Sequence, residues 1–234
     1  MKAPVIDYAV STVPRKVNYI DLLLANLDVK TPVHLFVCGN KTDYLNKFKN
    51  TPSVQIHTPS QEEWLRFKDC SVFHRATWNY WRCMSSWPAN SHRSGLLILE
   101  DDVLPARGWH QWLSRGICEI ESICGNKFAI ALYSGRDFSK KNLGGIFARY
   151  PTHQFAGTQG VYYSEALRAE CADFLKLYGV EWNEAPYDML VADYMSRRDY
   201  PIFVTVPSII QHMGEVSTGL SNFHQAPNFK QSLC

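Results

Sequence analysis

The chain has 234 residues, of which 46% are hydrophobic and 20% are charged, and its net charge at pH 7 is +2. This composition predicts one ordinary globular domain, or two small lobes sharing a sheet, and gives no sign of a nucleic-acid-binding protein. No apolar run approaches the ~20 residues that a membrane-spanning helix needs.

The cysteines and the N-terminus predict the redox environment. Seven cysteines, at positions 38, 70, 83, 118, 124, 171 and 234, form no Cys-x-x-Cys pair. The N-terminal residues lack the apolar core of a signal peptide. An odd number of cysteines without a secretory signal predicts reduced thiols and a cytoplasmic protein.

The first part of the chain alternates predicted strands and helices. Strands are predicted at 5–10, 33–38 and 54–57, a helix at 18–27 and a short helical or irregular piece at 44–49. This alternation is typical of a parallel sheet with right-handed crossovers. No Gly-x-Gly-x-x-Gly or Walker loop accompanies it, so phosphates would have to be held in another way.

A long helix is predicted over 61–84, beginning with a capping box of Ser60 and Glu63. Positions 72, 76, 80 and 84, with Phe73 beside them, predict a core face. Arg75, Asn79 and Arg82 form a neighbouring polar stripe. This stripe either reaches a nucleotide from the side or is a solvated helix face.

An acidic triplet follows the most apolar stretch of the chain. Leu96 to Leu99 are four consecutive aliphatic residues, as expected of a strand buried on both faces, and they lead directly into Glu100, Asp101 and Asp102. Three adjacent carboxylates cannot be buried without compensating charge. Ligands bind at the carboxyl ends of strands in open α/β sheets, so we expect a metal–phosphate site here; the alternative is a solvated acidic turn.

The second half continues the α/β pattern. Helices are predicted at 109–123, 164–178 and 187–197, and strands at 128–133, 155–163 and 202–206. Residues 137–154 predict a hairpin or mobile loop, and the small residues within 155–163 favour close approach to a ligand. The polar stretch from 215 onward predicts a mobile C-terminal segment.

Three motifs occur in a characteristic order: Thr-Val-Pro-Arg at 12–15, Glu-Asp-Asp at 100–102 and Pro-Ser-Ile-Ile-Gln-His-Met-Gly at 207–214. Together they resemble the GT-A fold glycosyltransferases, especially the N-acetylglucosaminyltransferases that branch N-glycans. The resemblance implies an α/β, Rossmann-like fold with a mixed, mostly parallel sheet and helices on both faces. It implies a nucleotide-sugar-binding half (1–102) and an acceptor-side half (103–234). The chain is much shorter than those enzymes, so an N-glycan acceptor does not follow.

The resemblance also implies residue roles. Asp102 would bind a divalent cation, Mn²⁺ or Mg²⁺, and His212 would be a further metal or diphosphate contact, although a lone histidine is often structural. Glu100 and Asp101 would contact the donor sugar and ribose. Arg15 would contact the nucleotide phosphates, because a guanidinium fork suits them.

Asp188 lies in the first turn of a predicted helix on the acceptor side. In an inverting enzyme it would deprotonate the acceptor hydroxyl as a general base. The alternative is an aspartate that only stabilises the helix dipole. Glu184 and Asp193 are rival bases.

These roles predict a metal-dependent glycosyltransferase that moves a sugar from a nucleotide-diphospho-sugar, expected to be a UDP-sugar, to an acceptor hydroxyl. The acceptor could be a glycan, a lipid-linked sugar, a protein or a modified nucleobase. The alternatives are a metal-dependent nucleotide hydrolase or nucleotidyltransferase, or a non-catalytic nucleotide- or carbohydrate-binding module. The oligomeric state stays open.

Overall fold

The computed structural model describes residues 3–87, 92–139, 145–215 and 225–233. Within them, eight strands form one sheet and two short strands form another. The strands are β1 (Ile6–Thr12), β2 (Val33–Val37), β3 (Val54–His57), β4 (Gly95–Glu100), β5 (Val103–Pro105), β6 (Ala129–Ala131), β7 (Phe147–Tyr150), β8 (Gly160–Ser164), β9 (Ile202–Thr205) and β10 (Ile210–His212). The α-helices are α1 (Ile20–Leu27), α2 (Gln61–Phe67), α3 (Val72–Ser85), α4 (Trp109–Cys124), α5 (Glu165–Phe174) and α6 (Tyr187–Arg197).

The large sheet has the strand order β3-β2-β1-β4-β8-β6-β9-β7. Strands β1 to β4 pair in parallel, which confirms the parallel alternation predicted for the first half. Strand β8 is antiparallel to both β4 and β6, and β9 is parallel to β6. Strands β6 and β9 therefore run in the same direction as β1, and the sheet is mixed but mostly parallel, as predicted.

Two hydrophobic layers enclose the sheet. On one face, α3, α5 and α6 supply buried residues such as Tyr80 and Leu167; on the other, α1 and α4 supply residues such as Leu23 and Leu113. Residues 96–99 of β4 alternate between these layers, and each is at most 1% exposed. A strand buried on both faces must be apolar at every position, which explains the aliphatic run before the acidic triplet.

The helix predicted over 61–84 is two helices. The capping box at Ser60 opens α2 as predicted, but the hydroxyl of Ser71 accepts a hydrogen bond from His74 N and starts α3 separately. The first turn of α3 is consequently turned away from the core. Val72 and Phe73, predicted as core residues, are 36% and 44% exposed.

Other element boundaries also differ from the predictions. Helix α5 continues as a π-helix over Leu175–Glu181, and β8 occupies only the end of the predicted strand 155–163. The hydroxyl of Ser164 accepts from Phe128 N instead of capping α5. Part of the predicted loop 137–154 is the edge strand β7 and a 3₁₀ turn at Thr152–Gln154; residues 140–144 lie outside the described residues.

The small sheet pairs β5 with β10 in antiparallel register, and His212 lies opposite Val103. This pairing brings the Gln-His-Met-Gly motif beside the acidic triplet, although more than 100 residues separate them along the chain. The amide of Met213 donates to the carbonyl of Asp102 at 2.7 Å, which fixes the two segments together.

The C-terminal segment, predicted to be mobile, is placed in part. Residues 216–224 lie outside the described residues. Residues 225–233 pack on the body of the protein, where Ala226 is buried and its amide donates to the Gln211 side chain, and Arg107 pairs with Ser232.

Two further observations concern the sequence-based expectations. The cysteines that the structure describes, at positions 38, 70, 83, 118, 124 and 171, carry free thiols. In the described part of the chain, every helix is too short or too polar to cross a bilayer.

Candidate functional site

A cleft of about 1050 Å³ lies at the carboxyl edge of the large sheet. Strands β1, β4 and β6 run in the same direction, so the residues that follow each of them reach this edge. Strand β8 runs the opposite way, and the residues that precede it, 156–159, reach the same edge and line the cleft. The small residues near 155–163 were expected to lie close to a ligand. Residues 156–159 do line the cleft, but the contact with a ligand remains a prediction.

Asp101 turns away from the cleft and organises the loop after β1. Its Oδ2 accepts from the hydroxyl of Thr12 at 2.6 Å and from the amide of Val13 at 3.2 Å, and its Oδ1 lies 2.7 Å from Arg15 Nη2. Asp101 is 3% exposed and does not line the cleft. Asp101 thus contacts Arg15 and the loop after β1, and this geometry does not support its predicted contact with ribose.

Asp102 is the carboxylate that faces the cleft from the same turn. Its Oδ2 contacts Arg15 Nη1 and lies 3.3 Å from His212 Nε2. Its Oδ1 is buried and has no hydrogen-bond partner among the described residues. A buried carboxylate oxygen without a partner is costly, which marks it as a place for a ligand.

Glu100, the last residue of β4, completes the group. Its Oε1 accepts from the hydroxyl of Tyr187 at 3.3 Å and from the hydroxyl of Thr158 at 3.4 Å. One ligand atom each of Glu100, Asp102 and His212 lies within 4.8 Å of the others. Glu100 and Asp102 are neighbours in the chain, and the pairing of β10 with β5 brings His212 to them.

The electrostatics of this group reflect burial and crowding. Burial, followed by repulsion from Asp102, raises the pKa of Glu100 to about 7. Burial raises the pKa of Asp101 to about 6, although the charge of Arg15 opposes the rise. Burial would also raise the pKa of Asp102, but contacts with His212 and Arg15 outweigh it and lower that pKa. The carboxylates repel one another, so a cation would stabilise their charged forms.

A divalent cation fits the chemistry of this donor set. Two carboxylates and an imidazole suit Mn²⁺, and carboxylates with water or phosphate oxygens suit Mg²⁺. The unpartnered Oδ1 of Asp102 is a ligand atom that the protein itself leaves available. Gly214 allows close approach above Asp102, because a β-carbon there would lie 2.1 Å from Asp102 Oδ2.

The structure places Asp188 in the cleft and its two rivals outside it. Asp188 lies in the first turn of α6, is partly buried and lines the cleft together with His212. Glu184 is exposed and does not line it, and Asp193 forms a surface ion pair with Arg197 at 2.8 Å. Of the three candidate bases, only Asp188 lines the same cleft as Glu100 and Asp102.

The polar stripe of α3 divides between cleft and core. Arg75 lines the cleft, and its guanidinium donates to the carbonyl oxygens of Lys68 and Cys70. Asn79 is fully buried; its amide donates to Ser11 Oγ and to the Phe36 carbonyl. Its Oδ1 accepts from Arg82, which is also buried. Asn79 therefore ties α3 to the sheet and does not reach the cleft, so its predicted contact with a nucleotide is not supported.

Several residues at the site were not predicted from the sequence. The hydroxyls of Thr12, Thr158 and Tyr187 hold the acidic side chains, and Arg136 and Gly214 line the cleft. The sequence could have indicated Thr12 and Gly214, because they belong to the motifs at 12–15 and 207–214. Thr158, Tyr187 and Arg136 carry no local signal of a role, since only strand order brings them to this edge.

No protein-family model matches the chain, and a comparison with curated protein sequences finds no significant relative.

Proposed function

We propose that the chain is a GT-A-type, metal-dependent glycosyltransferase that moves a sugar from a nucleotide-diphospho-sugar to an acceptor hydroxyl. The observation that carries this proposal is the convergence of Glu100, Asp102 and His212 at the end of a buried strand. They share a cleft with a phosphate-binding residue, Arg15, and a candidate base, Asp188. The mixed, mostly parallel sheet accords with the resemblance to GT-A enzymes.

Asp102 and His212, the ligands that the resemblance implies, would hold the divalent cation, Mn²⁺ or Mg²⁺. Glu100, expected from the resemblance to contact the donor, would be a third ligand. Bound there, the cation supplies Lewis-acid stabilisation of the negative charge that develops on the leaving diphosphate. Asp101 and Asp102 hold Arg15 at the rim of this group. The guanidinium fork of Arg15 would contact the phosphates of the donor, for which UDP is the proposed nucleotide.

Asp188 acts as the general base in this proposal. A carboxylate in the first turn of α6 lies in the same cleft as the metal ligands, so an acceptor hydroxyl between them can lose its proton as the sugar is transferred. Tyr187 connects the two parts of the site, because its ring stacks on Tyr80 at 4.4 Å and its hydroxyl donates to Glu100. This arrangement favours inverting transfer.

The metal chemistry separates this proposal from a nucleotide hydrolase or nucleotidyltransferase with two metal ions. Among the described residues, one group of three or more ligands can hold a cation. Two-metal phosphoryl transfer needs a second set of ligands about 4 Å away. A non-catalytic binding module would share the cleft but would release no sugar from a donor.

A cytoplasmic location stays a prediction.

Binding of UDP with and without Mn²⁺, measured by calorimetry, tests the site. Asp102→Asn keeps the size of the side chain but removes its charge, so we expect the Mn²⁺-dependent part of UDP affinity to be lost. Asp199→Asn is the matched control. Asp199 is exposed, and its ion pair with Arg149, at 3.8 Å, is longer than the contacts of Asp102. Equal UDP affinity in wild type and Asp102→Asn with Mn²⁺ present would refute the metal assignment.

Turnover tests the reaction class. Purified protein is incubated with UDP-sugars and Mn²⁺, and the products are separated. Release or transfer of the sugar with formation of UDP supports a glycosyltransferase. Formation of UMP supports a hydrolase of the diphosphate, and no product from a protein that binds UDP supports a binding module.

A further inference from the structure

The lining of the cleft contains cationic side chains besides Arg15. Among the described residues, its lining includes five cationic side chains, namely Arg15, Lys16, Lys68, Arg75 and Arg136, and three carboxylates, namely Glu100, Asp102 and Asp188. Arg15 is neutralised by Asp101 and Asp102. Lys68 lies 3.8 Å from Asp69.

Arg136 is the cationic residue of this lining on the far side of the acidic triplet from Arg15. Arg15 follows β1, and Arg136 follows β6. Three strand spacings separate β1 from β6 in the sheet order, or about 14 Å at ~4.8 Å for each spacing. Arg136 therefore lies on the side of the cleft that β6, β8 and the acceptor-side half of the chain form.

Neutral groups hold Arg136 in place. Its Nη1 donates to Gln154 Oε1 at 2.8 Å, and its backbone amide donates to Ser134 Oγ at 3.0 Å. Among the described residues, no carboxylate oxygen lies within 4.0 Å of its guanidinium nitrogens, and the stretches outside them contain no Asp or Glu. The guanidinium is exposed and is positioned by an amide oxygen, so it is free to meet a ligand from the cleft.

We propose that Arg136 binds the negative charge of an anionic saccharide acceptor, one that carries a carboxylate, phosphate or sulfate group. A guanidinium fork binds such groups through paired, charge-assisted hydrogen bonds, and a prior contact with Gln154 limits the side-chain freedom lost on binding. With its charge at Arg136, the acceptor lies on the side of Asp188, away from the phosphate contacts of Arg15. This inference rests on the proposed glycosyltransferase function and names its substrate class.

A glycan array containing matched neutral, uronic acid, sulfated and phosphorylated saccharides tests this proposal, with UDP and Mg²⁺ present. The full chain is compared with Arg136→Gln and with Arg149→Gln. Arg149 is the control because it is an exposed arginine on β7 that does not line the cleft. We expect wild type and Arg149→Gln to bind anionic saccharides, and Arg136→Gln to bind them about tenfold to hundredfold more weakly, as for loss of a hydrogen bond to a charged group.

A second experiment asks whether the anionic group that Arg136 binds belongs to the acceptor or to the sugar of the donor. UDP-glucuronate and UDP-glucose are titrated into wild type and Arg136→Gln with Mg²⁺. We expect the substitution to leave both affinities unchanged. A selective loss of UDP-glucuronate binding would overturn the proposal by assigning Arg136 to an anionic donor sugar.

The remaining outcomes are also decisive. Equal binding of neutral and anionic saccharides, retained binding in Arg136→Gln, or no bound saccharide on a protein that binds UDP would each overturn the acceptor proposal. Failure of UDP itself to bind would instead refute the proposed function. In that case, binding of anionic saccharides that depends on Arg136 would still support an anion site in this cleft.

Discussion

Gly214 and Asp102 are so close that a β-carbon at position 214 would lie 2.1 Å from Asp102 Oδ2. The same oxygen contacts Arg15 and His212, so any shift of the Asp102 carboxylate would disturb both contacts. The absence of a side chain at position 214 therefore keeps open the space above the candidate metal ligand. The Gln-His-Met-Gly motif thus contributes both His212, beside Asp102, and the glycine that packs against the same carboxylate.

The first prediction follows from this contact. Gly214→Ala should displace the Asp102 carboxylate and weaken Mn²⁺ binding about tenfold to hundredfold, the range found when the support of a metal ligand is lost. Gly145→Ala is the control, because a β-carbon there has nothing within 4 Å. Mn²⁺ titration by electron paramagnetic resonance measures both variants. Equal affinities would show that the site tolerates a methyl group.

The second prediction concerns the base. Asp188→Asn keeps the size of the side chain at the start of α6, where Asp188 Oδ1 accepts from the amide of Met189, but removes the proton acceptor. Transfer should fall about 10²- to 10⁴-fold while UDP affinity is retained. Steady-state kinetics with a UDP-sugar measures the loss. Asp193→Asn, in a surface ion pair, is the control and should keep its activity.

Two results would contradict that role. Full activity of Asp188→Asn would exclude Asp188 as the base, and retention of the donor's anomeric configuration in the product, read by NMR, would then indicate a retaining mechanism. A joint loss of UDP binding and stability would mean that Asp188 is structural.

A third prediction tests the place of Asn79 in the core. Asn79→Ala removes the hydrogen bonds to Ser11 and the Phe36 carbonyl and leaves buried Arg82 without one acceptor. Buried groups without partners cost about 1–3 kcal/mol each, so we expect the free energy of unfolding to fall by about 2–3 kcal/mol. Urea denaturation measures the change.

The control for Asn79→Ala is Asn26→Ala, because the Asn26 side chain makes an exposed hydrogen bond within α1. UDP affinity of the folded Asn79→Ala protein should stay near that of wild type. A large loss of UDP affinity without a loss of stability would restore Asn79 as a nucleotide contact.

A fourth prediction concerns acid stability. His34 Nδ1 lies 2.9 Å from His57 Nε2, and burial, followed by the charges of His57 and Arg93, lowers the pKa of His34 from 6.5 to about 4. Burial and Arg82 lower the pKa of His57 as well. Between pH 6.5 and pH 4 the unfolded chain binds more protons at His34 than the folded protein does. The stability contributed by neutral His34 is therefore lost as the pH falls through this window.

Replacing His34 measures this effect. His34→Gln should flatten the decline in the free energy of unfolding between pH 6.5 and pH 4, followed by urea denaturation. His153→Gln, at an exposed position, should leave the pH profile of wild type unchanged. Parallel profiles for wild type and His34→Gln would show that other groups set the acid sensitivity.

The sequence by itself determined the elements whose signal is local or whose environment is extreme. The aliphatic run at 96–99 could only be a strand covered on both faces, and the carboxylates after it had to lie at its end, where charge can be compensated. The capping box at Ser60 follows from hydrogen bonds between residues close in the chain. Asp188 lies in the first turn of α6, as predicted.

Only the tertiary structure decided which side chains share the cleft. Periodicity predicts that a helix has a buried face but not where that helix breaks, so the new start of α3 at Ser71 exposed Phe73. Within the triplet, the twist of the chain after β4 turned Asp101 toward Thr12 and Asp102 toward His212. Strand direction is set by pairing between distant segments, which no local pattern encodes; the antiparallel β8 and the parallel β6 brought Thr158 and Arg136 to the acidic edge.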